Sequence, residues 1–460
     1  MVEWVPKLPS ERSGPIYRAL TEVIAADIEA GTLTPGTRLP PQRDLAYALG
    51  ISVGAVTRAY DAAARLGLVS AHVGRGTFVV DRSGGAEPQE GLIDLSTNVA
   101  PPVPFDLTAE AVASLRRMSS FANRLSYLPP CGLEVDRRAA AEWLTRTAGF
   151  GSLDWRTLMC CGGAQLAMAI AFAELCRPSD MILCEAATFS GARTLAAQQS
   201  YRLHGIEMDD EGVRPDVLDR AAEATGARVF YTLPTLHNPT TRTMSAQRRA
   251  DIVRVARARD LWIVEDDVYA PYASDLGLPP LAALAPERTL YVTSLSKIIA
   301  PGLRAGFLVA PAGELFDRCV RTLRALMHSP AGINAAIATD WIRSGRADDL
   351  AREVRAEAHA RTSMALTSLQ GAVAEPNLAT GLHLWLPMPI ADAERTAARA
   401  RTAGVRLTPP GAFATSNSHQ VTGLRLCVGA AANRATLARA LSTLNDALMG
   451  ETNDPALDPL

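Results

Sequence analysis

Lys297 closes a strand-like run and sits among groups that suit it for chemistry: Tyr291-Val292-Thr293-Ser294-Leu295-Ser296-Lys297-Ile298-Ile299-Ala300-Pro301-Gly302-Leu303-Arg304. Hydroxyls stand one and three residues before the lysine, and an arginine stands seven residues after it. An amine so placed can condense with an aldehyde as a Schiff base, while Ser294, Ser296 and the Arg304 guanidinium take phosphate oxygens. Other segments supply partners. Asp266 ends the apolar run of Ile263-Val264-Glu265-Asp266-Asp267-Val268-Tyr269, where a buried carboxylate needs a cation or a hydrogen-bond donor. Asp267 beside it reads as a solvated neighbour. Gly162-Gly163-Ala164-Gln165 lies between a strand and a helix, so the backbone amides at the helix N-terminus can face a phosphate. Asn238-Pro239 marks a turn.

The elements that must carry these residues alternate. Helical patterns separate short apolar strands at 157–161, 181–184, 228–233, 261–265, 289–293 and 305–310, which implies an α/β unit with a mostly parallel sheet and helices on both faces. From about residue 336 the pattern becomes helix-rich with two strands, 382–386 and 423–428, a small α+β domain. The chain has 460 residues, 48% hydrophobic content and a net charge of −2, which suits two or three globular domains and excludes an overall basic, nucleic-acid-coating character. The seven cysteines lack metal-ligand spacing, and Cys160-Cys161 suits a buried strand. No metal site is expected. No apolar stretch is long enough to cross a bilayer and no signal peptide is evident, so a cytoplasmic protein is expected.

Residues 81–92 are polar and glycine-rich and read as a linker. Before it, residues 13–80 form their own unit. Ile16, Leu20, Val23, Ile24 and Ile28 fall at helical spacing; Pro41–Leu49 makes a second helix ended by Gly50; Ser52 caps a third through Arg65. Two strands, 68–72 and 74–80, flank a Gly74-Arg75 tip, a wing. Residues 38–80 hold five arginines against two aspartates, a local basic patch.

This first unit resembles the winged helix-turn-helix of the GntR superfamily through Pro15-Ile16-Tyr17, Gly36-Thr37-Arg38-Leu39-Pro40, Arg43-Asp44-Leu45-Ala46, Arg58-Ala59-Tyr60 and Gly74-Arg75-Gly76-Thr77-Phe78-Val79. The resemblance implies contacts to double-stranded DNA from Gln42, Arg43, Ser52, Thr57, Arg58, Arg75 and Gly76. It also shows a departure: Val53 and Ala55 stand where the family usually has arginine and threonine.

Residues 93–450 resemble the pyridoxal-phosphate enzymes of fold type I, the aspartate-aminotransferase fold, with a large part at about 120–335 and a small part at about 336–450. The resemblance implies pyridoxal 5'-phosphate bound covalently by Lys297, with its phosphate at Gly163, Ala164, Gln165, Ser294, Ser296 and Arg304. It implies further that Phe189 stacks on the ring, Asp266 pairs with the pyridinium nitrogen, and Asn238 and Tyr269 reach the phenolic oxygen. Tyr127 matches the tyrosine that reaches the phosphate of the other subunit, and Arg425 matches the arginine that grips a substrate carboxylate. His237 and His383 read as ordinary polar residues.

The order of the two parts is that of MocR-type bacterial regulators. The implied function is a pyridoxal-phosphate-dependent transcriptional regulator, a homodimer, that senses the cofactor or an amino acid or amine effector through an aldimine at Lys297. Two alternatives remain open: an active aminotransferase with a DNA-binding appendage, and a cofactor-status sensor in which Arg425 has no role.

Overall fold

The computed structural model describes residues 4–8, 15–29, 32–34, 36–65, 68–72, 76–79, 92–118, 121–378, 380–415 and 421–450. By internal contacts the chain divides into Met1–Gln89 and Glu90–Leu460. Of the expected linker, residues 81–91 lie outside the described residues, as do Gly74 and Arg75 of the wing tip.

In the first unit, α1 (Ile16–Glu29), α2 (Gln42–Leu49) and α3 (Val53–Arg65) precede the antiparallel β1 (Val69–His72) and β2 (Gly76–Val79), in the register Val69 to Val79. Leu20 and Ile24 of α1, Leu45 of α2 and Val56, Ala59 and Tyr60 of α3 close one apolar core. A fully buried leucine or isoleucine contributes roughly 1.5–3 kcal/mol, so a few such residues hold this small unit. Gly50 ends α2 at φ 63, where its amide reaches the carbonyls of Ala46 and Tyr47. The sharp turn into α3 depends on that left-handed backbone, which costs glycine little.

The second unit starts with β3 (Ile93–Asp94). Its main sheet uses β4 (Leu158–Cys161), β5 (Met181–Glu185) and β6 (Arg202–Ile206). After a small hairpin, β7 (Met208–Asp209) and β8 (Gly212–Val213), come β9 (Val229–Thr232), β10 (Trp262–Asp266), β11 (Thr289–Ser294) and β12 (Gly306–Val309). The sheet order is β4-β12-β11-β10-β9-β5-β6. β12 runs antiparallel to both its neighbours, and the remaining pairs are parallel. Strands β4, β9, β11 and β12 are buried at every position, as helix cover on both faces requires. This topology brings the carboxyl ends of β4, β5, β9, β10 and β11 to one edge, where open α/β sheets bind ligands.

The edge strand β6 was not expected. Its Arg-Leu-His-Gly-Ile sequence interrupts the apolar run with arginine, histidine and glycine, and among the described residues it is the last strand of the sheet. A second sheet region lies towards the C-terminus: β13 (Leu384–Pro387) pairs with β15 (Gly423–Leu426), and β14 (Val405–Arg406) pairs in parallel with β3. The apolar cluster under these strands begins at Ala365 and includes Leu95, whereas Ile337 through Ala358 pack with the main sheet. Packing therefore changes over inside the helix Arg346–Ser368, later than the boundary expected near 336. It also draws residues 93–95 into the small domain. Among the described residues, no helix is long and apolar enough to cross a membrane, and no cluster of three His, Cys, Asp or Glu could hold a metal ion.

Candidate functional site

At the sheet edge, Ala164, Gln165, Phe189, Leu233, Asn238, Asp266, Val268, Tyr269, Ser294, Ser296, Lys297 and Arg304 line one cavity of about 160 Å³. Parallel β10 and β11 place Asp266 and Ser294 at adjacent strand ends. A short 3-10 turn, Leu295–Lys297, follows directly and turns Lys297 into the cavity. Burial lowers the lysine amine below its ordinary value.

Asp266 is 2% exposed. Its Oδ2 accepts from the Tyr231 hydroxyl at 3.0 Å, while Oδ1 is buried without a hydrogen-bond partner. Burial pushes this carboxyl up to about 7, against the pull of Tyr231 and Lys297. An orphaned buried oxygen of this kind calls for a cationic donor. At the other end, Gly163 holds φ 99, a backbone that L side chains rarely adopt, and a Cβ there would run into the Arg304 guanidinium, so glycine suits the close approach of arginine and strand-helix turn. Arg304 Nη2 donates to the Gly162 carbonyl at 3.2 Å, and Ser296 Oγ is buried and unpartnered. The helix Ala164–Leu175 begins at that turn. The donor set fits pyridoxal phosphate: a carboxylate for the ring nitrogen, an amine for the aldehyde, and hydroxyls, guanidinium and helix amides for the phosphate.

Arg425 enters from β15 and is 6% exposed. Its Nη1 donates to Asn238 Oδ1 at 2.8 Å, and its Nη2 donates to the Ser96 carbonyl at 2.7 Å and to Thr408 Oγ1 at 3.0 Å. Its guanidinium carbon lies 4.9 Å from the centre of the Phe413 ring. Arg425 does not itself line the cavity but bonds Asn238, which does; Tyr127 neither lines it nor, among the described residues, bonds one that does. It is 85% exposed, with its ring edge-on to His328 at 4.7 Å.

The expectation for Asp267 is corrected. It is 1% exposed, and its Oδ2 faces the Tyr291 hydroxyl at 3.4 Å. The strand does not end in solvent here: β11 lies alongside, burial raises the Asp267 carboxyl above its ordinary value and the buried Arg249 pulls it back, so Asp267 is an interior carboxyl.

Sequence reasoning missed Ser96, Asn98, Thr408 and the role of His383. The Lys297 amine donates to the Asn98 carbonyl at 2.6 Å. The Asn98 amide nitrogen donates to the Tyr269 hydroxyl at 2.9 Å and lies 3.1 Å from His383 Nδ1. His383 Nε2 is 3.2 Å from the His237 carbonyl, an acceptor, so Nε2 carries the proton and Nδ1 accepts. Burial drives both His237 and His383 down to about 3, so both are neutral. Glu185, 3.8 Å from His237, is pushed up to about 7 by its own burial. The signal that could have found Asn98 was a polar Ser-Thr-Asn run directly after the strand-like Ile93-Asp94-Leu95.

In the first unit, the Thr57 hydroxyl donates to Gln42 Oε1 at 2.7 Å, joining α2 to α3. Ser52 Oγ accepts from the Ala55 amide at 3.3 Å, the expected cap. Arg43 and Arg58 are exposed, and Arg58 Nε donates to the Gly54 carbonyl at 3.2 Å. Gly76 opens β2 at φ 114 against Arg38. Arg75 lies outside the described residues. Val53, at the arginine position of the family, is 43% exposed, and Tyr47 on α2 is 92% exposed.

Residues 90–444 match the family of class I and II aminotransferases, and residues 16–79 match the gntR family of bacterial regulatory proteins. The chain is 28% identical over 437 residues, 93% of each chain, to the uncharacterized HTH-type transcriptional regulator YdeF of Bacillus subtilis. It is 28% identical over 323 residues, 68% of this chain and 69% of the other, to the HTH-type pyridoxine biosynthesis transcriptional regulator PdxR of Corynebacterium glutamicum. Among solved structures, the kynurenine aminotransferase of Pyrococcus horikoshii superposes with a TM-score of 0.71 at 22% identity, over 80% of this chain and 93% of that one. The α-aminoadipate aminotransferase LysN of Thermus thermophilus, solved with a phosphopyridoxyl-leucine adduct, gives 0.70 at 24%, over 78% and 93%.

Proposed function

From a chain that belongs to the class I and II aminotransferase family and carries a gntR-type winged helix ahead of it, the arrangement of MocR-type regulators, we propose a transcriptional regulator that binds pyridoxal phosphate at Lys297 and reads an amino compound at the same site. The observation that carries the cofactor assignment is the buried, unpartnered Asp266 oxygen in the cavity that Lys297 lines. The winged helix binds double-stranded DNA through Gln42, Arg43, Ser52, Thr57, Arg58, Arg75 and Gly76. The relative named for pyridoxine biosynthesis supports cofactor sensing, and the buried Arg425 supports a carboxylate-bearing effector.

When bound, the cofactor supplies an aldehyde that condenses reversibly with amines and a ring that withdraws electrons. The chain does the rest. Asp266 holds the ring nitrogen; Asn238 and Tyr269 hold the phenolic oxygen; Phe189 covers the ring; Gly163, Ala164, Gln165, Ser294, Ser296 and Arg304 hold the phosphate. Arg425 binds the effector carboxylate. Two copies assemble, each offering Tyr127 to the phosphate end of its partner's site, a role that suits so exposed an aromatic residue.

Turnover is the second reading, favoured by the lowered proton affinity of the Lys297 amine, which suits it to move a proton. Visible absorption of the purified protein with a panel of amino acids separates the two. A cofactor band that shifts and holds supports the regulator. Loss of the band with release of keto acid means an aminotransferase. No band at all sinks the cofactor assignment.

A further inference from the structure

The segment Ser96-Thr97-Asn98 holds, through backbone carbonyls, the two groups that the proposed function needs elsewhere. The Ser96 carbonyl takes Arg425 Nη2 and the Asn98 carbonyl takes the Lys297 amine. A lysine nitrogen joined to an aldehyde carbon keeps at most one N–H, so the cofactor competes with Asn98. The arginine argument is stricter. Both edges by which a guanidinium grips a carboxylate with two hydrogen bonds use Nη2. Both hydrogens of that nitrogen are committed, to the Ser96 carbonyl and to Thr408 Oγ1. The Thr408 hydroxyl itself donates to the Ser96 carbonyl at 3.0 Å, so both acceptors of Nη2 belong to one cluster, and the Ser96 carbonyl can leave it only if the chain moves.

The same segment is pinned at each end. The Leu95 amide donates to the Arg406 carbonyl at 2.9 Å, and the Leu95 carbonyl accepts from the Cys427 amide at 3.0 Å. Asp94 Oδ1 accepts from the Ser96 amide at 2.8 Å and its hydroxyl at 2.6 Å. At the far end the Asn98 side chain ties to Tyr269 and His383. In sequence, this run is the first part of the second unit, only a few residues after Gln89, where the winged-helix unit ends.

We infer that Ser96–Asn98 is the coupling element of this regulator: a ligand carboxylate takes Arg425 from the Ser96 carbonyl, and the displaced segment carries that event along the chain towards the winged helix. The inference rests on the proposed function and deepens it. It makes the effector a compound with both an amine and a carboxylate, because an amine alone leaves the Ser96 contact intact. Coupling by this route needs a two-state element whose equilibrium the ligand biases, and the competing carbonyl provides one.

The test uses the full chain loaded with pyridoxal phosphate and two aldehyde traps. Aminooxyacetate and methoxyamine each displace the Lys297 amine from the cofactor's aldehyde carbon, forming an oxime and releasing the lysine. Only aminooxyacetate carries a carboxylate. Hydrogen–deuterium exchange is followed across residues 93–98, with the visible spectrum recorded on the same samples. Exchange at Leu95 and Ser96 is expected to rise about fivefold or more with aminooxyacetate and to stay flat with methoxyamine. Affinity for a duplex selected from a random pool by the loaded chain should change with the first trap alone. Asp94→Ala, which removes the brace on Ser96, should keep the cofactor band and shrink the change in DNA affinity. Spectra that report both oximes while exchange at 93–98 is equal for the two traps overturn the coupling role. Failure of the wild type to form the cofactor band at all overturns the cofactor site itself, a separate result.

Discussion

The cofactor wall and the DNA face are built in opposite ways. At the wall, Asp266, Asn238, Tyr269 and Arg425 are all buried, and each holds a partner in the interior. On α2 and α3, Arg43 and Arg58 are exposed, and the one side-chain bond that joins the two helices there among the described residues is Thr57 to Gln42. A buried polar group without a partner costs about 1–3 kcal/mol, so the wall admits few residue types at each position. An exposed arginine has no such penalty, and the face can trade Arg for Val53 while the helix keeps its core. The polar contacts of the cavity wall are therefore tightly specified in this chain, and the exposed face of the winged helix is not.

The contrast is sharpest at Lys297. Replacing it with alanine removes the amine that joins the aldehyde, so covalent attachment should be lost completely, read by borohydride reduction followed by mass spectrometry of the peptide. DNA binding by the winged helix in the absence of effector should survive. Retained covalent cofactor at another lysine would break the comparison.

Asp266→Asn comes next. It removes the charge opposite the ring nitrogen, and a hydrogen bond to a charged group is worth about 1.5–3 kcal/mol, so cofactor affinity should fall roughly ten- to a hundredfold. Its effect on the cofactor-free protein has the opposite sign. Burial raises the folded-state value of this carboxyl from 3.8 to about 7. Between those pH values the folded chain holds a proton that the unfolded chain releases. The stability so contributed is present below about pH 4 and is lost as pH rises through about 7. Cofactor-free Asp266→Asn should therefore unfold at higher urea than wild type at pH 8 and at similar urea at pH 4, a difference on the order of a few kcal/mol. Equal pH slopes would show that Asp266 is ionised in the free protein.

Motifs that carry chemistry in a short run were legible in the sequence. Ser294, Ser296, Lys297 and Arg304, Ala164 and Gln165, and Asp266 and Tyr269 line one cavity, and Gly163 abuts Arg304. The mostly parallel sheet followed from apolar strands alternating with helical patterns. What escaped reading depends on long-range pairing. Asn98 meets Lys297 only because β3 pairs with β14, some 300 residues later in the chain. β6 was hidden because Arg202, His204 and Gly205 break the apolar run by which the other strands were read. Asp267 was misread because a carboxylate after a strand end is usually solvated, and the cation that keeps it inside, Arg249, lies on a distant helix.

Arg425→Ala has an expected effect of similar size but narrower reach, confined to the ligand. Cofactor binding should change little, while a carboxylate-bearing amine should lose about 1.5–3 kcal/mol of affinity, measured by titration of the cofactor band. An unchanged response to amino acids would favour a sensor of the cofactor alone and would remove the carboxylate from the effector.

The smallest effects belong to the DNA face, and they separate two kinds of contact. Arg58→Ala removes one exposed charge, so the slope of log affinity against log salt should fall by about 1, with a nearly uniform loss across sequences. Thr57→Val removes no charge. It breaks the bond to Gln42 and frees that amide, so the salt slope should hold while discrimination among duplexes weakens by about 0.5–1.5 kcal/mol. The two variants together say whether Gln42 is aimed by Thr57 or acts alone. If Thr57→Val leaves both slope and discrimination unchanged, the α2–α3 bond only fastens the helices, and specificity must come from Val53 and the residues around it.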